Sequence, residues 1–315
     1  MAQLITVGET MAVLTPDRNG PLRYAPNFRP YIAGSESNVA IGAAKLGVST
    51  EWFSRLGDDE FGHLIRGKIL AEGVECGNVI FDSGHPTGIM FKEIGPRDTK
   101  VFYYRSGSAA SRLCPSDLDR LSVKGAEIVY MTGITPVLSE SCRDTVEELY
   151  GRAKRENVMI AFDPNIRKKL WKEKDHIPFL RSLVLKSDIV LTGLSEAMEI
   201  FRVKTAEDII ETIFREGRAK YIAIKDGGKG AMVTDGNRVV HLPPFPCRPV
   251  ETVGAGDGFN AGFLAGIIKG EGMEKAGFMG SVCGAMATQT AGDYEGYPDA
   301  AQMEGIMSGH QEITR

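Results

Sequence analysis

The sequence predicts an α/β fold: a central, mostly parallel sheet flanked by helices, with a small β-sheet outside it. Three observations carry that expectation. Short, almost wholly apolar runs recur along the chain, as strands buried on both faces require. Longer stretches with helical apolar spacing separate them, the order that connects parallel strands. Two stretches break the alternation and read as hairpins set apart from the main sheet.

In chain order, Leu4–Val7 reads as the first strand, since the N-terminus lacks the basic and long apolar segments of a secretory leader. Ala12–Tyr31, rich in Pro, Arg and Asn, reads as the first outlying hairpin. Helices are expected at Ser37–Leu46 and Glu60–Glu72, and Asp58-Asp59-Glu60 is read as the cap of the second, not as a paired-acid site. Thr87–Tyr104 reads as the other hairpin, Gly88–Ile94 and Lys100–Tyr104 around Gly-Pro-Arg-Asp. Strands at Ile128–Met131, Val158–Phe162, Ile189–Leu191 and Tyr221–Ile224 then alternate with helices at Ser139–Arg155, Ala206–Arg215 and Asp257–Ile268. The polar Ser308–Arg315 is expected to fray. Residues 1–11, 32–86 and 106–315 would form the α/β core, and 12–31 and 87–105 a β-flap.

Composition excludes several classes. The 315 residues suffice for a sizeable core, and the formal net charge is −4. Without a basic excess, neither nucleic acid nor an anionic membrane is an expected partner. No run approaches the ~18 apolar residues of a membrane span. Five scattered cysteines without a C-x-x-C pair argue against a disulfide framework and a structural zinc site, and fit a reducing, cytoplasmic setting. Cys283, in an expected helix, reads as a buried apolar residue, and Met273, Met279 and Met286 as core filler. Gly62-x-x-x-x-Gly67-Lys68 continues with Ile69 and so misses the P-loop pattern, and no G-x-G-x-x-G follows the first strand.

The chemistry concentrates at Val253-Gly254-Ala255-Gly256-Asp257-Gly258-Phe259, at the start of a helical pattern. Unpaired N–H groups and the positive dipole end make a helix N-terminus an anion site, and glycines let phosphate oxygens approach the backbone. An acid among such amides suits a group that takes a proton from a hydroxyl attacking phosphorus. The local pattern alone is equally that of a glycine-rich turn with Asp257 as helix cap.

Across essentially the whole chain, these segments resemble the ribokinase-like (PfkB) carbohydrate kinases. Glu251-Thr-Val-Gly-Ala-Gly-Asp257 is similar to the family signature Asp-Thr-x-Gly-Ala-Gly-Asp. Ala33-Gly-Ser-Glu-Ser-Asn-Val-Ala40, Leu56-Gly-Asp-Asp-Glu-Phe-Gly62 and Lys225-Asp-Gly-Gly-Lys-Gly230 are also family-like. The resemblance implies a nucleotide-binding core, a β-lid over the sugar, Asp257 as catalytic base and the amides of Gly254, Ala255 and Gly256 as an anion hole. It gives ATP to Asn165, Arg167, Ser195, Lys225, Gly227, Gly228, Gly230 and the Gly254–Gly256 loop. Mg²⁺ is expected with ATP, held largely by phosphate and water, with Glu196 reaching it through water. Two positions depart from the family. Gly193 stands where its Asn-x-x-Glu motif has Asn, and Glu251 stands where the signature has Asp, in a region that helps relatives hold K⁺. A homodimer or higher homo-oligomer, paired through the lids, is the family's default.

Three further segments point to an acidic sugar. Tyr103-Tyr104-Arg105 leaves the flap, Arg167 follows the strand ending at Phe162, and Gly292-Asp293 lies in a C-terminal loop. Guanidinium groups make bidentate, charge-assisted pairs with carboxylates. The same segments look like those of the 2-keto-3-deoxygluconate kinases within the family, which implies sugar contacts from Gly34, Asn38, Tyr103, Tyr104, Arg105, Arg167 and Asp293. Without the resemblance, the lesser reading of Tyr103 and Tyr104 is as alternating strand residues, one packing and one solvated, and Asp293 is equally a turn residue. Glu9, after the first strand, is open between a structural role and approach to the sugar.

Overall fold

The computed structural model describes residues 1–95, 99–171 and 174–309. The tip of the second hairpin and most of the polar C-terminal tail therefore lie outside the described residues. The strands are β1 (Leu4–Val7), β2 (Met11–Pro16), β3 (Phe28–Ala33), β4 (Thr50–Phe53), β5 (Arg55–Gly57), β6 (Ile80–Asp82) and β7 (Ile89–Ile94). They continue with β8 (Thr99–Tyr104), β9 (Ile128–Thr132), β10 (Met159–Asp163), β11 (Ile189–Gly193), β12 (Tyr221–Lys225), β13 (Ala231–Thr234) and β14 (Val239–Leu242). The helices are α1 (Ser35–Lys45), α2 (Glu60–Ala71), α3 (Thr135–Leu138), α4 (Glu140–Arg155) and α5 (Ile177–Lys186). After them come α6 (Leu194–Phe201), α7 (Ala206–Glu216), α8 (Ala255–Ile268), α9 (Met273–Ala287) and α10 (Ala300–Ser308).

Eight strands form the central sheet in the order β14-β13-β12-β11-β10-β9-β1-β4. All neighbours from β4 to β12 pair in parallel, and β13 and β14 extend the edge antiparallel. The side-chain period of two sends alternate residues to opposite faces. Ile5, Val7, Val129, Met131, Ile160 and Phe162 join Val146, Leu149 and Leu183 of α4 and α5. Leu4, Ile128, Tyr130, Ala161 and Ile189 join Val39, Phe263 and Met279 of α1, α8 and α9. Burial on both faces is why these strands read as continuous apolar runs.

Helices α8 and α9 pack through glycine. A Cβ on Gly262 would lie 2.5 Å from the Met279 carbonyl oxygen, and one on Gly266 2.6 Å from Ala276 Cα. Side-chain caps define other starts: Asp59 accepts from Gly62 N–H, Ser139 from Cys142 N–H and Thr205 from Asp208 N–H.

The two outlying stretches form one four-stranded sheet, β3-β2-β7-β8. Each supplies an antiparallel hairpin, and β2 pairs with β7 in parallel to join them. A further pair, β5 with β6, forms a separate two-stranded sheet. Among the described residues no helix is long and apolar enough to cross a membrane.

Candidate active site

The carboxyl ends of the parallel strands, the small sheet and the N-terminus of α8 enclose a cavity of about 960 Å³. Open α/β sheets bind ligands at this end. From the expected sugar side it is lined by Gly34, Asn38, Tyr103, Arg105, Arg167 and Asp293. Asn165, Glu196, Lys225, Gly227, Gly228 and Gly230 line it from the strand ends, and Gly254, Ala255, Gly256 and Asp257 from α8. Residues far apart in sequence thus meet in one space.

Two expected positions lie elsewhere. Tyr104 is 67% exposed and packs edge-on against Phe91, 5.7 Å between ring centres, on the outer face of the small sheet. Strand alternation turns Tyr103 inward and its neighbour outward. Ser195 does not line the cavity either. It is exposed in the first turn of α6, where one residue of helix rotates it away from Glu196.

Gly254 caps α8 with φ +85°, a left-handed conformation that glycine adopts without strain. The first turn of α8 then places Asp257 beside α1. Its Oδ1 accepts from Ser35 Oγ at 2.5 Å and its Oδ2 from Asn38 Nδ2 at 2.9 Å. Ser35 in turn accepts from Asn165 Nδ2 at 3.0 Å. Burial raises the proton affinity of Asp257, while the Ser35 and Asn38 bonds pull it back. Ser35 carries no motif signal of its own, because its partner is 222 residues away.

Behind this pair lies a charged network. Asp163, at the end of β10, accepts from Lys225 Nζ and from Asn260 Nδ2, each at 2.7 Å, and from the Asn165 amide at 3.0 Å. Lys225 Nζ also donates to Asn260 Oδ1 at 2.9 Å and lies 3.7 Å from the position of a Cβ on Gly256. A positive charge therefore stands beside the glycine loop. Asn165 holds φ +39°, a sparsely populated conformation for a non-glycine residue at the cavity wall.

Glu196 accepts from the Ile166 amide at 2.7 Å and the Gly193 amide at 3.1 Å. Burial raises its proton affinity, with Asp163 adding to the effect. A Cβ on Gly193 would lie 3.1 Å from Glu196 Oε2, so glycine here lets the carboxylate seat against the backbone. The described residues hold no cluster of three or more His, Cys, Asp and Glu side chains suited to a metal.

The end of the cavity beside the small sheet is built from ion pairs. Arg105 Nε donates to Glu9 Oε2 at 2.7 Å, its Nη2 also pairs with that oxygen, and Ser108 Oγ holds Glu9 Oε1 at 2.5 Å. Glu9 is 3% exposed, so it is a buried counter-charge for Arg105. Arg167, by contrast, is exposed and makes no salt bridge among the described residues. Lys92, on the inner face of β7, reaches Glu251 Oε2 at 3.2 Å and Asp293 Oδ1 at 3.4 Å. Burial lifts the Asp293 carboxyl to about 6 despite Lys92.

Comparison with known proteins finds similarity along nearly the whole chain. The model of the "pfkB family carbohydrate kinase" matches residues 1–300. A 2-dehydro-3-deoxygluconokinase of Bacillus subtilis (strain 168) is 33% identical over 98% of this chain and 96% of its own. A 5-dehydro-2-deoxygluconokinase of Halalkalibacterium halodurans is 25% identical over 99% and 96%. The crystal structure of a PfkB protein from Polaromonas sp. JS666 matches with a TM-score of 0.88 and 32% identity, covering 96% of this chain and 99% of that one. A putative ribokinase II from E. coli, solved with ATP and Mg²⁺, shares the fold with a TM-score of 0.88 at 23% identity, over 98% and 100%. Family model and relatives agree, and the chain belongs to the pfkB family of carbohydrate kinases.

Proposed function

We propose that the chain transfers the γ-phosphoryl group of ATP to the C6 hydroxyl of 2-dehydro-3-deoxy-D-gluconate, giving the 6-phosphate and ADP. The observation that carries the choice of acceptor is Arg167, a guanidinium without an ion-pair partner among the described residues, in the same cavity as Asp257. Arg105 adds Nη1, since its Nε and Nη2 are engaged by Glu9. A sugar carboxylate satisfies such donors and a neutral hexose does not. The likeness to the Bacillus subtilis 2-dehydro-3-deoxygluconokinase supports the same reading.

In this reading the C6 oxygen loses its proton to Asp257 and bonds to the γ-phosphorus as the bond to the ADP oxygen breaks. A raised proton affinity suits Asp257 to a general base, and Ser35 and Asn38 fix its direction. The amides of Gly254, Ala255 and Gly256 at the head of α8 receive the developing charge. Mg²⁺ arriving with ATP would neutralise charge on phosphate oxygens, with Glu196 placed to reach it through water, and Lys225 Nζ lies beside the loop. The small sheet, β3-β2-β7-β8, acts as a lid that excludes water. Its outer face carries Phe28, Phe91, Phe102 and Tyr104. That apolar patch supports pairing of two lids in a homodimer, which light scattering on the purified protein checks. The five free thiols support a reducing, cytoplasmic setting.

An ADP-release assay over 2-dehydro-3-deoxygluconate, 5-dehydro-2-deoxygluconate, fructose and ribose tests the acceptor. The first should give the highest kcat/KM. Preference for fructose, or for 5-dehydro-2-deoxygluconate as in the second relative, would overturn it.

A further inference from the structure

We propose that Lys92 is a positioning residue for phosphoryl transfer: its ammonium holds Glu251 and Asp293 together beside the Gly254–Gly256 loop, so that no monovalent cation is required there. The proposal rests on the kinase reading but not on which sugar is the acceptor. Lys92 is 2% exposed, and the side chains of Glu251 and Asp293 are 18% and 7% exposed. A buried charge persists only with close partners. Burial disfavours the ammonium, yet Asp293 and Glu251 outweigh it and raise its proton affinity.

Both carboxylates are attached to the anion loop. The amides of Val250 and Glu251 donate to the Thr288 carbonyl at 2.7 and 3.1 Å. Tyr297 Oη donates to the Gly254 carbonyl at 3.3 Å. A Cβ on Gly254 would collide with the Asp293 carbonyl oxygen. Residues 288–297 therefore grip residues 250–254, and Lys92 ties the small sheet to both sides of that grip. Of the inward-facing residues Met90, Lys92, Val101 and Tyr103 on β7 and β8, Lys92 alone is charged. Without it, Glu251, Asp293 and Asp257 would share a poorly solvated corner with like charge.

K⁺ does not fit between these two carboxylates while the Lys92 ammonium lies there. What a bound cation would supply, a fixed positive charge behind the anion loop, is already part of the chain. The geometry also makes that charge depend on the lid: it is in place only when β7 lies over the core. Orientation of the glycine loop is thereby coupled to closure.

The test is a K⁺ titration of the wild-type enzyme, with tetramethylammonium chloride holding ionic strength constant, using whichever acceptor the screen identifies. The expected kcat is flat, within about twofold, up to ~100 mM K⁺. The melting temperature should not differ between the two salts. Lys92→Met should lower kcat about tenfold or more with little change in the KM for ATP, a loss of transition-state interaction, and ammonium or K⁺ ions should restore part of it. Wild-type activation of about fivefold or more by K⁺, or unchanged kcat in Lys92→Met, would overturn the proposal. So would lost kcat that neither ion restores, because that is lost packing. If Lys92→Met does not fold, the wild-type titration and melting curves still decide. An acceptor other than a sugar acid would leave every one of these readouts intact.

Discussion

Replacing Asp257 by Asn separates a catalytic base from a residue that only ties α8 to α1; the cap of α8 is Gly254, not Asp257. In the wild type, Oδ1 accepts from Ser35 and Oδ2 from Asn38 Nδ2. The Asp257→Asn side chain would keep the Ser35 bond and set its own NH₂ against that of Asn38. Asn38 Oδ1 is buried without a partner, so rotation of the Asn38 amide converts the clash into a new hydrogen bond. Folding stability should therefore change by no more than about 1 kcal/mol, the size of one net hydrogen bond. Turnover should behave differently. A positioned general base contributes about 10²–10⁴-fold, which at 1.36 kcal/mol per tenfold is about 2.7–5.4 kcal/mol of barrier. The measurement is kcat by coupled ADP release, with urea melts on the same preparations. A fall of about 10²-fold or more with an unchanged melt supports the base. A variant that keeps near-normal turnover while folded leaves Asp257 as a link between α8 and α1.

Arg167→Ala should raise the KM for the sugar acid about tenfold or more with an unaltered melt, whereas Arg105→Ala should also destabilise the fold by about 3–5 kcal/mol, because Glu9 is left as an unpaired buried charge. Steady-state kinetics and urea melts distinguish them, and if neither change alters KM, the carboxylate reading fails. Glu36 is buried, its Oε2 has no partner, and burial raises its carboxyl to about 7. The folded state therefore binds the proton more tightly than the unfolded chain, and stability is lost as pH rises from about 4.5 through 7. Glu36→Gln should be near neutral at pH 5 and stabilising by about 3 kcal/mol at pH 8; urea melts that show no such crossover refute it. Gly262→Ala forces a Cβ into the Met279 carbonyl and should cost about 1–3 kcal/mol in the same assay.

Much of this fold is legible in local pattern. Leu4–Val7 is found with the expected bounds, and most other named strands and helices differ by one or two residues at an end. What escaped had no local signal. Thr50–Phe53 contains Glu51 and is too short to stand out, yet it forms the sheet edge. Gly258, Gly262 and Gly266 sit in an apolar helical pattern whose meaning, close approach of a second helix, is visible only once α9 is in place. At the site, the glycine loop and Asp257 stood out as an anion-site pattern, which a capped glycine-rich turn matches equally well in local sequence. Ser35 did not, because its partner lies 222 residues away. Lys92 is a sharper case. The alternation Met90, Lys92 against Ile89, Phe91 puts a lysine on the inner face of β7, but its partners are 159 and 201 residues distant.

Those long-range pairs change the account of specificity. The sequence suggested two arginines converging on one carboxylate. The structure gives Arg105 and Lys92, at the small sheet, acids of their own: Glu9 lies opposite Arg105, and Glu251 and Asp293 lie opposite Lys92. Both pairs run from the small sheet to the core. Their first electrostatic effect is to hold that sheet down, since separating either pair leaves a poorly solvated carboxylate behind. Arg167 belongs to the core, has no acid opposite it among the described residues, and stays in the cavity wherever the small sheet moves. In the proposed reaction, discrimination for an acidic sugar therefore rests first on Arg167. Arg105 contributes one remaining donor and the shape of a closed lid. Losing Arg167 should weaken sugar acids selectively, whereas losing Arg105 should weaken every acceptor that needs closure, neutral sugars included.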